Sequence, residues 1–222
     1  MSKILFSNGC SFLTARPKDG VETFTSEILA KEYESKLHNL AMGGRGNDRI
    51  SFTTKLWFEQ NANQDVFAVV GWSSSFRQDY VTNDGWKKGR IPGMDITWRT
   101  WKTNEQFSFV HSNLGYDIEN DSYRQFLDNV LDLQTYFKYN KIPYVMYNSL
   151  PQLINNDIKD FEIMFNCIDK KRFFKVETSH LDFIQQHNHI VSPNDPHPNT
   201  TGHIEWADLM KEHINVNNLR TV

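Results

Sequence analysis

The fold is decided near the start of the chain by residues 3–11, which read KILFSNGCS. Residues 3–7 form a short apolar run, and the Asn-Gly pair that follows favours a sharp turn, so the run is typical of a buried strand. A turn at the end of such a strand can hold a hydroxyl above a sheet, and here the hydroxyl belongs to Ser11. The stretch therefore predicts a first strand that leads into a candidate nucleophile.

Three further strands are predicted along the chain. Residues 35–41, 65–71 and 142–147 each predict a strand. The 65–71 run, DVFAVVG, is apolar throughout after its Asp, which is typical of a strand covered on both faces. A fifth strand is predicted at 172–176 or at 189–191.

Helical spacing of apolar residues separates these runs. The pattern predicts helices over 22–34, 122–139 and 200–214, and a further helix that begins after a predicted N-cap at Asn47. Strands that alternate with helices predict an α/β fold, here a three-layer α/β/α sandwich with a central, mostly parallel sheet of about five strands. Ligands of such folds bind beyond the carboxyl ends of the strands.

Length and composition exclude several classes of protein. The 222 residues suit one domain, 1–222, and the net charge of -3 gives no footprint for nucleic acid. The first residues are too short and polar for a signal peptide or a membrane span, so we expect a cytoplasmic protein. Cys10 and Cys167 cannot form a disulfide framework and are expected to be reduced. The glycine run 43–46 lacks the Lys-Ser/Thr of a P-loop, and no cofactor is expected.

Residues 83–121 lack clear periodicity and are rich in Gly and Trp. We interpret them as an irregular insertion that covers the site and sets its specificity. An alternative is a non-catalytic module that binds a glycan or another ligand in a Trp-lined cleft. The candidate stacking residues are Trp72, Trp86, Trp98 and Trp101.

Residue types suited to acyl transfer follow the predicted strands. Ser11 follows the first, Gly44 follows the second, and Ser73 follows the third. Near the chain end, His197 lies between two prolines that hold its backbone, and Asp195 can fix its tautomer, as a general base requires.

These segments, in this order, resemble the sequence blocks of the SGNH (GDSL-like) hydrolases. The matching stretches are Asn8-Gly9-Cys10-Ser11-Phe12, Asn39-Leu40-Ala41-Met42-Gly43-Gly44, Gly71-Trp72-Ser73-Ser74 and Asp195-Pro196-His197. The resemblance implies an esterase with Ser11 as nucleophile and His197 as base. It also implies an oxyanion hole formed by the N–H groups of Ser11 and Gly44, with Ser73 at the position of the family's Asn.

The acidic partner of His197 departs from the family pattern by one residue. The usual Asp-x-x-His offset falls on Asn194, whereas the carboxylate is at Asp195, and we predict that Asp195 orients the ring. Trp72, Arg77 and Asn47 are the predicted substrate-binding residues, and Arg77 suits an acidic substrate.

The predicted substrate is a small-molecule or carbohydrate ester, with an O-acetyl or other acyl group as the group removed. A metal-dependent hydrolase is a further alternative, because several possible ligands are close together near the chain end. They are His187, His189, Asp195, His197 and His203.

Overall fold

A computed structural model describes residues 4–62, 64–82, 97–102 and 117–221, with backbone alone for 78, 80–82 and 97–102. In these ranges the strands are β1 (Ile4–Gly9), β2 (Lys36–Asn39), β3 (Val66–Trp72), β4 (Arg77–Thr82), β5 (Thr97–Lys102), β6 (Tyr144–Asn148), β7 (Phe173–Phe174), β8 (Ile190–Ser192) and β9 (Asp195–Pro198). The α-helices are α1 (Thr25–Glu32), α2 (Asn47–Gln60), α3 (Ile118–Tyr139), α4 (Lys159–Asn166), α5 (His180–Gln186) and α6 (Thr200–Val216).

The central sheet is parallel and has the strand order β2-β1-β3-β6-β7. This confirms the prediction of a mostly parallel sheet of about five strands. The fifth strand lies at the first of its two predicted positions, because β7 pairs with β6. The second position falls largely in β8, which forms a separate antiparallel hairpin with β9.

Separate hydrophobic clusters cover the two faces of the sheet. Leu29 of α1 and Trp206 of α6 pack on one face, and Ile50 of α2 and Val130 of α3 pack on the other. β3 lies between them at the centre, and all 7 of its residues are buried, as its continuous apolar run predicts. The fold is therefore the predicted three-layer α/β/α sandwich.

Several helices differ from their predicted bounds. α3 begins at Ile118 rather than at residue 122, because the Asp117 side chain accepts the N–H groups of Glu119 and Asn120 and caps the helix. The sequence patterns did not predict α4 and α5, which are only 8 and 7 residues long. A signal for α5 was present, since Ser179 and Asp182 form a capping box at its start.

Part of the predicted insertion has regular structure. β4 and β5 pair as an antiparallel hairpin, from Arg77 opposite Lys102 to Thr82 opposite Thr97. β5 therefore lies inside the stretch 83–121 that we expected to be irregular. Residues 83–96 and 103–116 lie outside the described residues, and Trp86 is among them.

Cys10 and Cys167 are free thiols, the first buried and the second exposed, and burial raises the pKa of the Cys10 thiol. In the described ranges, no helix has the length and apolar character needed to cross a membrane.

A buried ion pair joins the hairpin to α2. Arg49 Nη2 lies 2.9 Å from Asp79 Oδ1, and the side chains are 7% and 0% exposed. The same carboxylate accepts the Gly46 N–H at 2.8 Å and the Arg49 N–H at 3.2 Å. The start of β4 is thereby fixed to the N-terminus of α2, where a helix favours negative charge.

We expect Asp79→Asn to lower the free energy of unfolding by about 3–5 kcal/mol, because it removes a buried charge partner and points amide hydrogens at N–H donors. Asp128→Asn is the control: its ion pair with Arg124 has side chains 53% and 47% exposed and should contribute less than about 1 kcal/mol. Urea unfolding followed by circular dichroism measures both. Equal losses would contradict the importance of the buried pair.

Candidate active site

The turn after β1 presents Ser11 at the carboxyl edge of the sheet. β1 ends at Gly9, and Ser11 opens a short 3-10 helix, Ser11–Leu13. Only glycine fits at the strand end, because a Cβ added to Gly9 would lie 2.7 Å from the Gly71 carbonyl oxygen of β3. Cys10 points into the core, and the half-buried Ser11 faces the site.

The Ser11 hydroxyl oxygen lies 2.8 Å from Nε2 of His197. The other ring nitrogen, Nδ1, lies 2.5 Å from Oδ1 of Asp195. Because a carboxylate only accepts hydrogen bonds, Nδ1 carries the proton and Nε2 is left to accept one from the serine. The three side chains thus form a continuous line from hydroxyl to carboxylate.

Strand geometry explains the unusual spacing of Asp195 and His197. Both residues lie on β9, and side chains two residues apart in a strand point to the same side. The carboxylate therefore reaches the ring although it is one residue closer than in the Asp-x-x-His pattern. Asn194 precedes the strand and is exposed, so the structure places Asp195, and not Asn194, against Nδ1.

Backbone N–H groups are available beside the serine. Within the described ranges, the N–H groups of Ser11 and Gly44 have no hydrogen-bond acceptor. Gly44 has a φ of +78°, a conformation that favours glycine. A Cβ added to its neighbour Gly43 would lie 3.8 Å from Ser11 Cβ. The sequence did not single out Gly43, yet this short distance shows that the loop passes alongside the serine.

Ser73 lies behind the site rather than on its surface. It is 0% exposed, and its hydroxyl accepts a hydrogen bond from Arg77 Nη1 at 3.1 Å. A group that water cannot reach cannot contact a substrate oxygen unless its neighbours move. This corrects the expectation that the Ser73 hydroxyl itself faces the oxyanion. Arg77 is less deeply buried than Ser73.

Asn47 and Trp72 are also corrected from substrate contacts to supports of the site. Gly46 is the N-cap of α2, and the Asn47 side chain instead accepts the Ser73 N–H at 2.8 Å and donates to the Ser73 carbonyl at 3.1 Å. Trp72 is 0% exposed and packs edge-on against Phe126. Both are buried because they adjoin the end of the central strand, which helices cover on both faces.

Arg16, which the sequence patterns did not indicate as a site residue, contacts Asp195. Arg16 donates from Nη1 to Asp195 Oδ1 at 3.0 Å and from Nη2 to Asp195 Oδ2 at 2.6 Å. The hydrogen bonds from Arg16, and then those involving His197, lower the pKa of Asp195 below its ordinary value. The carboxylate beside His197 is therefore ionised.

The predicted metal ligands do not converge. His189 pairs with Glu205 at 3.1 Å, His187 bonds a main-chain carbonyl one turn earlier, and His203 is buried. In the described parts of the chain, no group of three or more His, Cys, Asp or Glu side chains could hold a metal ion.

Two uncharged histidines lie beneath the site. His203 and His180 are 1% and 0% exposed. Burial lowers the pKa of His203 to about 3, helped by the charge of His197, and burial also lowers the pKa of His180. The Thr25 N–H donates to His203 Nδ1 at 3.3 Å, which requires that nitrogen to be unprotonated.

We expect the free energy of unfolding to fall as the pH drops below 6.5, because these histidines gain protons at their ordinary pKa only after the chain unfolds. The loss is about 1.4 kcal/mol per pH unit for each histidine, and for His203 it ends near the folded pKa of about 3. Urea unfolding at several pH values gives the free energy of unfolding as a function of pH. We expect this free energy to fall less steeply with decreasing pH in His203→Gln than in the wild type. The exposed control, His187→Gln, should keep the wild-type slope, and an unchanged slope in His203→Gln would refute this account.

Comparison with known proteins shows the fold. No family model matches the sequence, and no curated protein matches it. The structure is similar to the psychrotrophic esterase EstA from Pseudoalteromonas sp., solved inhibited by monoethylphosphonate, with 11% identity and a TM-score of 0.54 over 97% of this chain and 98% of that one. TesA has 9% identity and a TM-score of 0.53 over 96% and 99% of the two chains. A mutant of Axe2, an acetylxylan esterase from Geobacillus stearothermophilus, has 12% identity and a TM-score of 0.50 over 96% and 94%.

The similarity covers nearly the whole chain at very low identity. It shows that the chain has the α/β fold of these solved structures, which is the fold that the sequence blocks predict. Fold alone does not fix chemistry, so the function is argued from the site.

Proposed function

We propose that this protein is a serine hydrolase that cleaves a carboxylic ester, with Ser11 as nucleophile, His197 as general base and Asp195 as the group that orients His197. The observation that carries the proposal is the pair of contacts at His197, 2.8 Å to the Ser11 hydroxyl and 2.5 Å to the Asp195 carboxylate. A hydroxyl, an imidazole and a carboxylate in this order are the arrangement that activates a serine.

In the proposed first half-reaction, Ser11 Oγ attacks the ester carbonyl carbon while its proton moves to His197 Nε2. The carbonyl oxygen becomes an oxyanion, which accepts hydrogen bonds from the N–H groups of Ser11 and Gly44. The C–O bond to the alcohol then breaks, and the proton on Nε2 passes to the departing oxygen. Asp195 stabilises the imidazolium that exists between these two proton transfers.

In the second half-reaction, water attacks the acyl-enzyme and gives its proton to His197 Nε2. The tetrahedral intermediate collapses, the carboxylic acid leaves, and the proton returns to Ser11 Oγ. Since Ser73 replaces the family's oxyanion Asn and is buried, the absence of one donor should make turnover roughly 10²–10³ slower than at a site with all its donors.

The substrate class that we propose is an O-acyl group, such as acetyl, on a small molecule or a carbohydrate. One similar structure is an acetylxylan esterase, which supports testing acetylated sugars first. Arg77 is anchored on Ser73 and has no carboxylate partner in the described part of the chain. We therefore propose that Arg77 binds an acidic group of the substrate.

The alternative of a non-catalytic Trp-lined module has less support. Trp72, one of its four candidate stacking residues, is in the core, and Trp98 and Trp101 are on β5, where the structure describes the backbone. The line of contacts from hydroxyl to carboxylate is the arrangement that activates a serine, and this favours the hydrolase.

A panel of esters tests the proposal. Purified protein should hydrolyse p-nitrophenyl acetate and at least one O-acetylated sugar, measured by nitrophenolate absorbance and by acetate release. Inclusion of carboxylate-bearing acetate esters tests the role of Arg77, since Arg77→Met should raise KM for these and leave neutral esters less affected. Failure to hydrolyse any ester between about pH 6 and pH 9 would contradict the proposed function.

A further inference from the structure

Arg16 binds both oxygens of the carboxylate that faces His197. Its two donors reach Oδ1 and Oδ2 of Asp195 at 3.0 and 2.6 Å, the paired geometry in which arginine holds a carboxylate most firmly. Oδ1 is the same oxygen that accepts His197 Nδ1 at 2.5 Å. The guanidinium and the imidazole therefore share one acceptor atom.

The backbone holds Arg16 in a closed loop. The Arg16 N–H donates to the Val21 carbonyl at 2.7 Å, and the Val21 N–H donates back at 3.1 Å. Val21 is 1% exposed, which anchors the loop in the core. Gly20 closes it with a φ of +73°, and its carbonyl accepts the Thr200 hydroxyl at 3.4 Å. The position of the Arg16 backbone is thus set by main-chain bonds and by contact with the start of α6.

The carboxylate requires such a partner because it is not enclosed. The Asp195 side chain is 26% exposed, so water competes for both oxygens. Strand geometry directs Asp195 to the same side as His197 but does not fix the rotation of the carboxylate. Two donors from one planar group do fix it.

We propose that Arg16 is a positioning residue of this site, which holds the Asp195 carboxylate in plane with His197 and offsets part of its negative charge. This inference rests on the proposed function. Without the guanidinium, the full charge of the carboxylate would act on the imidazole, and the carboxylate would lose the paired contact that fixes its rotation.

The other charged groups around the pair are few within the described residues. Asp19 lies 2.9 Å from Arg16 Nη2 and competes with Asp195 for it. On α6, the buried His203 stays neutral, because burial lowers its pKa to about 3. Phe12, in the turn after β1, packs against His197 with the two ring centroids 5.2 Å apart, and it adds no charge. Arg16 is therefore the cation that acts on Asp195.

Arg16→Met and Arg16→Lys separate charge from placement. Arg16→Met should move the midpoint of the acid limb of kcat/KM upward by about one pH unit and lower the plateau roughly 10- to 100-fold. Arg16→Lys keeps the charge and loses the paired contact, so it should lower the plateau and leave the midpoint within about 0.3 unit of wild type. An unchanged midpoint in Arg16→Met, or an equal shift in both variants, would overturn the proposal.

Asp19→Asn is a second variant, and it is expected to move the midpoint in the direction opposite to that of Arg16→Met. Removal of Asp19 leaves Arg16 to act on Asp195 alone, so the midpoint should move slightly downward; an upward movement as large as that of Arg16→Met would also overturn the proposal. The His197 ring can be titrated by NMR, with the signal assigned from its loss in His197→Gln. Since this readout needs no turnover, the same upward movement in Arg16→Met without any hydrolysis would uphold the role of Arg16 and reject the esterase.

Discussion

Ser11→Ala is expected to lower kcat for ester hydrolysis by about 10⁴-fold or more. The variant keeps the imidazole and the carboxylate but removes the only atom that can form the acyl-enzyme in the proposed reaction. Folding should be unaffected, because Ser11 is half-buried and the loss is one hydroxyl. Initial rates with p-nitrophenyl acetate measure the effect.

Ser35→Ala is the matched control for this change. Ser35 precedes β2, at the end of the sheet away from the site, and its hydroxyl bonds the Tyr33 carbonyl. We expect the control to hydrolyse the ester at the wild-type rate. A Ser11→Ala variant that kept more than about a tenth of wild-type kcat would show that another group is the nucleophile.

Asp195→Asn is the second large expected effect, a loss of about 10²–10⁴ in kcat. An amide brings no charge to stabilise the imidazolium, and its NH₂ group would face the Arg16 guanidinium or the His197 N–H. Asn194→Ala, one residue away and exposed, should change kcat less than about threefold. The reverse ranking would assign the orienting role to Asn194. Thermal unfolding of both variants distinguishes a lost catalytic contact from a lost fold.

Apolar continuity made the central sheet predictable. β1, β3 and β6 are buried on both faces, so their runs stand out against the polar turns that follow. The short edge strand β7 has only 2 residues and gives a weaker signal, which is why two positions for it stayed open. The bounds of α3 could not be read from its apolar spacing, since its first turn is polar and is fixed by the cap at Asp117.

The site was partly predictable for a different reason. Ser11 and His197 each follow a recognisable local pattern, although 186 residues separate them. The β8–β9 hairpin was missed because the two prolines around His197 resemble a turn, yet proline is tolerated in such short edge strands. Once β9 is recognised as a strand, the Asp195 spacing is explained by its two-residue repeat.

Burial and contacts between residues far apart in the chain could not be predicted from local sequence patterns. Arg16 is an ordinary loop residue in the sequence, and its partner Asp195 is 179 residues away. Asn47, Trp72 and Ser73 have the residue types of a binding site, and only the packing around the end of β3 shows that they lie behind it. Accessibility, which the sequence does not give, separates these supports from the groups that face substrate.

Covalent labelling tests the central claim most directly. A fluorophosphonate probe reacts with a serine that an adjacent base activates, and mass spectrometry of the digested protein identifies the modified residue. We predict one adduct per chain, on Ser11, with no labelling of Ser11→Ala and much slower labelling of His197→Gln. Labelling of wild-type protein and Ser11→Ala to the same extent, or a wild-type protein that resists the probe, would contradict the account.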